Sequence, residues 1–410
     1  MTRHIIKVIL KRRTSTTLLI FEFAIAFITL VSLGVFIINF IGNSNKPLGF
    51  KYNNVLQLDF NNLKGEDWDH QKVLIQQFTN LFNSFEEVEA VGFLDRNIPF
   101  QPHNFTEILG IKSQYSKIPS VNTSIADNFL VKALSIGVTE GNWFTKADYA
   151  MKYLPVVINE KAKTMLFPHV KNVIGKTIYL YKEPATIVGV INDFRYSGDF
   201  SNPAPFIFIQ SFYNKETTYN QNLNIDANNS DYNCPAVIYL KVKQGAGIDF
   251  EERLKNTVST KLPDWDFRIY RMEKVRNAYI KRVWLPVILV SLVIFFLLVN
   301  IVLGLFGVLW YNISLRKSEI GLRLAVGASR ANIYRQFIVE MLTLATLGII
   351  PGLIIAAQFP ILKVFRIEIS VYIISALIAA LIIYLLVILC AVLPSAQAAK
   401  IQPAVALHEE

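Results

Sequence analysis

Four apolar stretches constrain this chain more than any other feature of its sequence: Thr17–Ile41, Val283–Leu309, Phe337–Phe359 and Val371–Leu393. A helix rises about 1.5 Å per residue and the hydrocarbon core of a bilayer is about 30 Å thick, so each stretch is long enough to cross it. Only Glu22 and Glu340 bring a charged side chain into any of them. A soluble domain buries one stripe of each helix and would leave most of this surface in water. The chain therefore reads as a membrane protein with four transmembrane α-helices. A large α+β extracytoplasmic domain is inserted between helices 1 and 2. A hydrophobic content of 52% belongs with that class.

Basic residues near the spans set the expected orientation. Arg3, Lys7, Lys11, Arg12 and Arg13 precede the first span, with no acid among them. Between spans two and three stand Arg316, Lys317, Arg323, Arg330 and Arg335 against Glu319. Short loops rich in Lys and Arg stay in the cytoplasm. The N-terminus and the second connection are thus expected inside, the C-terminus returns inside, and the domain lies outside. Lys281 and Arg282, just before span two, belong to a long translocated domain, on which the rule has little force. The expected divisions are a cytoplasmic amphipathic basic segment 1–16, span one 17–41, the outer domain with its stalk 42–282, and span two 283–309. A cytoplasmic coupling segment 310–336 follows, then span three 337–359, a short outer loop 360–370, span four 371–393 and a cytoplasmic tail 394–410.

The first span is too long for a secretory h-region and no small-x-small cleavage site follows it, which reads as a retained anchor. Ahead of it, Ile5, Ile6, Ile9 and Leu10 interleave with basic residues. That suits either a helix lying on the anionic inner leaflet or a plain topology-setting flank. Cys234 outside and Cys390 near the inner end of span four are separated by the bilayer, so no disulfide is expected.

Period-two alternation marks strands at Val55–Phe60, Leu154–Ile158, Thr177–Tyr181, Ala185–Ile191, Pro205–Gln210, Val237–Val242 and Phe267–Tyr270. Helical spacing marks Asp67–Phe85, Glu160–Phe167 and Asp249–Leu262. Two strands to one helix suggests an α+β domain of two lobes. Tyr213–Asn233, rich in Asn, Thr and Tyr, reads as a long mobile loop. Met272–Arg282 has no turn residue and runs into span two, so a continuous helical stalk is favoured over a break at Pro286.

No catalytic constellation is visible. Gly175-Lys176-Thr177 imitates the end of a phosphate-binding loop, but Val170 stands where its first glycine belongs. The five histidines have no ligand spacing, no metal site is expected, and no Gly-x-Ser-x-Gly elbow occurs. The positive charge lies at the membrane flanks, which argues against nucleic acid as a partner. Glu22 and Glu340 are candidates because intramembrane carboxylates are costly. Each lies near the cytoplasmic end of its span, where pairing with Arg12, Arg13 or Arg335 and helix packing outweigh a transport-linked proton site. The other spans offer little that is polar, so helices that move fit better than helices that conduct.

Glu319–Val326 suits a short helix on the inner membrane surface, with Gly327 at its end and Ser329 capping the next helix. It could dock a cytoplasmic partner or serve only as a topology signal. At this segment the chain resembles the MacB/FtsX-type permeases of ABC transporters. The resemblance is carried by Glu319-Ile320-Gly321, Arg323, Ala325 and Gly327-Ala328-Ser329-Arg330, followed by Ile333, Phe337, Glu340, Gly348 and Gly352. The tail from Pro394 through Ala398, Lys400 and Pro403 resembles the family's ending. Gly141-Asn142-Trp143-Phe144, Val157-Ile158-Asn159-Glu160 and Ile187–Phe194 resemble the MacB-like periplasmic core. Leu324 departs from the pattern, standing where the family often has a basic residue.

The resemblance implies a permease in the bacterial inner membrane with its large domain periplasmic. It implies a separate cytoplasmic ABC ATPase as partner, docked on Glu319, Ile320, Gly321, Arg323, Gly327, Ala328, Ser329 and Arg330. ATP and Mg would be bound by that partner and no cofactor by this chain. Further implied partners are a second copy or a related permease, membrane lipids, and a periplasmic adaptor or outer-membrane channel. The implied action is mechanotransmission for export of a periplasmic substrate; release of lipoproteins or control of a cell-wall hydrolase are the alternatives. A chain without a fused ATPase leans slightly away from a one-chain exporter. The rival from another class is a membrane-anchored sensor or scaffold.

Overall fold

A computed structural model describes residues 13–60, 68–101, 107–180, 183–211, 237–263, 266–315, 320, 322–323, 326, 329–362 and 367–399. The basic segment before Arg13 and the Asn-rich stretch Tyr213–Asn233 lie outside them. The chain divides into two compact units, Asn43–Arg282 and a membrane unit formed by the residues before and after it.

The outer unit begins as an antiparallel sheet of β1 (Val55–Phe60), β2 (Val88–Leu94), β10 (Val237–Val242) and β11 (Phe267–Arg271). Their order is β11-β1-β10-β2. Helix α2 (Trp68–Asn83) joins β1 to β2, and α5 (Ile248–Lys261) joins β10 to β11. Alternation along the strands sends Leu56, Leu58, Val91, Phe93, Ile238 and Leu240 to one face. Phe78 and Phe82 of α2 and Phe250, Leu254 and Val258 of α5 meet them there at helical spacing. Each such side chain contributes about 1.5–3 kcal/mol by leaving water. The arrangement is a ferredoxin-like βαββαβ unit, split after β2 by an inserted lobe.

That inserted lobe is a closed ring of strands. Its members are β3 (Glu107–Lys112), β4 (Lys117–Ala126), β6 (Leu154–Asn159), β7 (Thr177–Leu180), β8 (Glu183–Ile191) and β9 (Phe206–Gln210). They pair in the order β4-β3-β7-β8-β6-β9, and a parallel β9–β4 pairing closes the circuit. Closure removes the exposed edges that an open sheet would present. Ile111, Ile118, Val156, Ile158, Ile178, Ile187, Ile207 and Ile209 share one core with Ala162 and Leu166 of α4 (Glu160–Leu166). A short β5 (Val138–Gly141) adds to β8, and a helical turn α3 (Leu130–Ala133) lies over Gly92 of the other lobe's sheet.

The strands and helices expected from periodicity are present, with ends shifted by a residue or two. β8 begins at Glu183, two residues before the expected Ala185. Sequence reading passed over β2, β3, β4 and β5. In β4 the reason is visible: Asn122, Thr123 and Ser124 are buried and polar, so the strand lacks an apolar alternation. Asn122 Oδ1 accepts from Tyr196 Oη at 3.2 Å and Ser124 Oγ donates to Asp95 Oδ1 at 3.2 Å, so distant residues satisfy these two side chains.

Among the described residues, four helices are long and apolar enough to span: α1 (Arg13–Ser44), α6 (Met272–Leu315), α7 (Arg330–Ala356) and α9 (Ile369–Ala399). A short α8 (Gln358–Ile361) follows α7. Phe23, Phe27, Leu305, Phe337, Met341, Ala345, Ile383 and Val387 form a core drawn from all four long helices. Helix α6 is continuous through Pro286.

Candidate functional site

The segment before α7 is described only in part. Glu319, Gly321, Gly327 and Ala328 lie outside the described residues, as do Leu324 and Ala325. Ile320, Leu322 and Arg323 are helical, and the Val326 N–H donates to Leu322 O at 3.0 Å, closing a helical turn. Ser329 caps α7: its backbone is extended and its Oγ accepts from the Asn332 N–H at 3.3 Å. Arg330 is the first residue of α7.

The expected docking residues do not all face the same way. Ile320 is 4% exposed and packs into the membrane-unit core with Ile333 and Phe337. Its role is to anchor the segment. Arg323 is exposed, and its Nη1 donates to Gln336 Oε1 at 2.9 Å, tying this residue to α7. Among the described residues of this segment, Leu322 at 53% and Val326 at 81% exposure are outward and apolar. Neither was singled out by sequence, because apolar residues in a short amphipathic segment are read first as the buried face. A cationic residue flanked by two exposed aliphatic side chains is chemically suited to a partner groove with an acidic rim.

Of the two intramembrane carboxylates, Glu340 is buried at 7% exposure. Glu22 is half-buried and packs on Gly304 of α6, with Oε2 at 3.5 Å from where a Cβ would stand there. Arg12 and the Arg13 side chain, its expected partners, lie outside the described atoms. Glu22 Oε2 has no hydrogen-bond partner among the described residues. The glycines of α7 serve packing. A Cβ on Gly348 would overlap Phe23 Cβ and come within 2.8 Å of Ile20 O, and one on Gly352 would lie 3.1 Å from Ala24 O. The Gly-x-x-x-Gly pair thus lets α7 reach the α1 backbone.

In the outer unit, Gly175-Lys176-Thr177 turns into β7 rather than opening a helix, which no phosphate-binding loop does. No group of three His, Cys, Asp or Glu suited to a metal occurs among the described residues. Asp127 is buried, and burial pushes its carboxyl up to about 7 although it accepts from the Phe93 and Leu130 N–H groups. Those bonds cap α3 and hold it to β2, which is a structural task. An open groove of about 550 Å³ lies beside the first turns of α6, walled by Phe100, Tyr270 and Tyr279 with Asp59 and Lys274 at its edges.

The family model described as MacB-like periplasmic core domain matches residues 25–256, more than half of the chain. The model described as FtsX-like permease C-terminal matches residues 291–403. The chain belongs to the MacB/FtsX family of ABC transporter permeases. It is similar to proteins described as macrolide export ATP-binding/permease protein MacB. With that of Campylobacter jejuni it is 24% identical over 335 residues, 80% of this chain and 50% of the relative. With those of Bartonella quintana and Escherichia coli K12 it is 25% and 26% identical, covering 72% and 71% of this chain and 43% of each relative. The chain thus spans about half the length of the curated relatives it matches. Among solved structures, the periplasmic region of MacB from Actinobacillus actinomycetemcomitans aligns with 56% of this chain and 94% of its own at 15% identity, TM-score 0.38. The extracellular domain of the transporter YknZ from Gram-positive bacteria aligns with 53% of this chain and all of its own at 12% identity, TM-score 0.32.

Proposed function

We propose that this permease is the transmembrane subunit of an ABC transporter that works by mechanotransmission, serving export of a periplasmic substrate. A separate cytoplasmic ATPase binds and hydrolyses ATP with Mg, docks on the connection between α6 and α7, and moves the membrane helices. Helix α6 carries that displacement to the outer domain. The observation that supports this most is the continuity of α6 from the outer sheet through an apolar span, in a chain matched by both a core-domain and a permease family model. A helix without a break transmits axial and tilting motion, whereas a hinged linker would absorb it. The scarcity of charged side chains in the spans, Glu22 and Glu340 alone, fits motion without a hydrophilic conduit. The export role rests on the likeness to relatives described as macrolide export proteins. The basic flanks favour cytoplasmic termini and a periplasmic domain in the inner membrane. A second copy or related permease completes the assembly, with an adaptor or outer channel beyond it.

Co-purification in detergent with the candidate ATPase tests the reading. The complex is expected to hydrolyse ATP faster than the ATPase alone. Val326→Asp and Arg323→Glu, both at exposed positions, are expected to lower that stimulation about tenfold, on the order of 1.4 kcal/mol, with membrane insertion unchanged. Full stimulation in both variants would remove the docking surface, and a complex that never forms would favour the sensor reading.

A further inference from the structure

The loop Arg195–Asn202 touches both chain segments that connect the outer unit to spans. Arg195 is 2% exposed. Its Nη1 donates to Lys46 O at 2.7 Å, its Nε and Nη2 donate to Ser201 O at 3.1 and 2.8 Å, and Nη2 also donates to Asp199 O. Its own N–H donates to Leu48 O at 2.9 Å. Asn43, 1% exposed, donates from Nδ2 to Asn202 Oδ1 at 2.8 Å and to Phe200 O at 3.2 Å. The segment that follows span one is therefore fixed to this loop by side chains from both sides.

The same loop holds the start of α6. Asp199 receives Arg276 in a fork, Nε to Oδ2 at 2.9 Å and Nη2 to Oδ1 at 2.8 Å. Arg276 also lies over the Tyr52 ring at 4.8 Å. One turn further on, Tyr279 stacks on Phe200 at 6.4 Å between centroids and meets Phe100 at 6.1 Å. Gly198 has φ +87° and a Cβ there would lie 2.5 Å from the Tyr279 ring, so backbone conformation and space both require glycine. One turn before Arg276, Glu273 Oε1 accepts from the Asn54 N–H at 2.7 Å. Glu273, Arg276 and Tyr279 recur every three residues along one side of the helix.

We propose that Asp199, with Arg195 and Arg276, forms a joint that clamps the segment after span one and the first turns of α6 to the strand-ring lobe, so that the lobe follows both helices as one lever. The proposal rests on the mechanotransmission reading and names the positioning residues through which it acts. Asp199 is the hinge-pin of the arrangement: its backbone oxygen takes the arginine that holds one segment, and its carboxylate takes the arginine that belongs to the other. A fork between two planar groups fixes orientation as well as distance, which a single hydrogen bond does not. Without it, α6 can tilt while the lobe lags behind.

The test uses the full chain with its ATPase in nanodiscs, with Cys234 and Cys390 replaced by serine. Spin labels at the exposed positions Lys171→Cys on the lobe and Lys281→Cys on α6 report the joint. A second pair, Lys171→Cys and a site on the ATPase, reports the displacement driven by ATP. In the parent chain the first distance is expected to stay narrow and unchanged between nucleotide states while the second shifts. Asp199→Asn is expected to broaden the first and lose most of the shift in the second, with ATP hydrolysis still stimulated. Arg276→Gln gives the same outcome if Asp199→Asn does not fold, and the double variant should be no worse than either single one. Variants that keep a narrow first distance and a full second shift overturn the joint. A parent chain with no second shift overturns mechanotransmission instead, and the first distance in the variants then decides the joint by itself.

Discussion

Asp127 and Gly348 show how single residues carry this fold. Asp127 is buried, and its carboxyl in the folded chain titrates at about 7 against a usual 3.8 because burial disfavours the charged form. The folded state thus holds its proton more tightly than the unfolded state. Its contribution is complete below the unfolded value and is lost as pH rises through the folded one. A stability loss on the order of 4 kcal/mol is the upper bound between pH 4 and pH 7 at 1.36 kcal/mol per unit. Asp127→Asn keeps an acceptor for the Phe93 and Leu130 N–H groups, so it should flatten that slope in denaturant melts across the range; an unchanged slope would assign it to other groups. Gly348→Ala places a methyl group against Phe23 and Ile20 O. Overpacking of this kind costs about 1–3 kcal/mol, read as a lower melting temperature in detergent, and trimming Phe23 to Leu in the same chain should recover part of it. The glycine pair was noticed in the sequence only as a family likeness; that it marks closest approach of α7 to α1 is a tertiary fact.

At the scale of elements, helix α6 is the informative one. Its apolar half was plain from hydropathy, and the absence of turn residues across Met272–Arg282 favoured a continuous rod, which the structure holds. Pro286 does not interrupt it because a proline loses one backbone bond and a long helix packed or solvated by lipid tolerates that. Rigidity is testable by interruption. Insertion of two glycines after Arg282 should leave the chain in the membrane and bound to its ATPase while uncoupling ATP hydrolysis from export by the cell. Retained export would mean that the rod is not the transmitting element. In the segment ahead of α7, the facing of the described residues was not legible in the sequence. Its basic and glycine residues pointed to a docking segment, yet Ile320 turns into the membrane core and Leu322 and Val326 turn outward. Periodicity over so few residues cannot choose a face when either side contains an aliphatic residue.

At the scale of the whole molecule, the claim that force crosses a bilayer needs the outer unit and the α6–α7 connection on opposite sides. Lys261→Cys and Arg323→Cys, in the same serine background, supply the check. A membrane-impermeant maleimide added to intact spheroplasts should label the first and reach the second only after lysis. Labelling of both from one side would end the proposal. The two-lobe division was anticipated from mixed strand and helix periods. The nesting of one lobe inside the other was not, because the ferredoxin-like unit is completed by β10 and β11 long after β2 has ended.

By itself the sequence determined what depends on near neighbours: four helices able to span, most strand and helix positions, and membership of a permease family. Hydropathy and period are local sums, and a helix or strand buries its apolar face wherever its partners come from. The tertiary structure alone decided the closure of the strand ring by β4 and β9, the inward turn of Ile320, and the meeting of Asn43, Arg195, Asp199 and Arg276. Each of these joins polar or ambiguous residues from distant parts of the chain. A buried polar side chain looks like loop or surface until the donor or acceptor that satisfies it is in place.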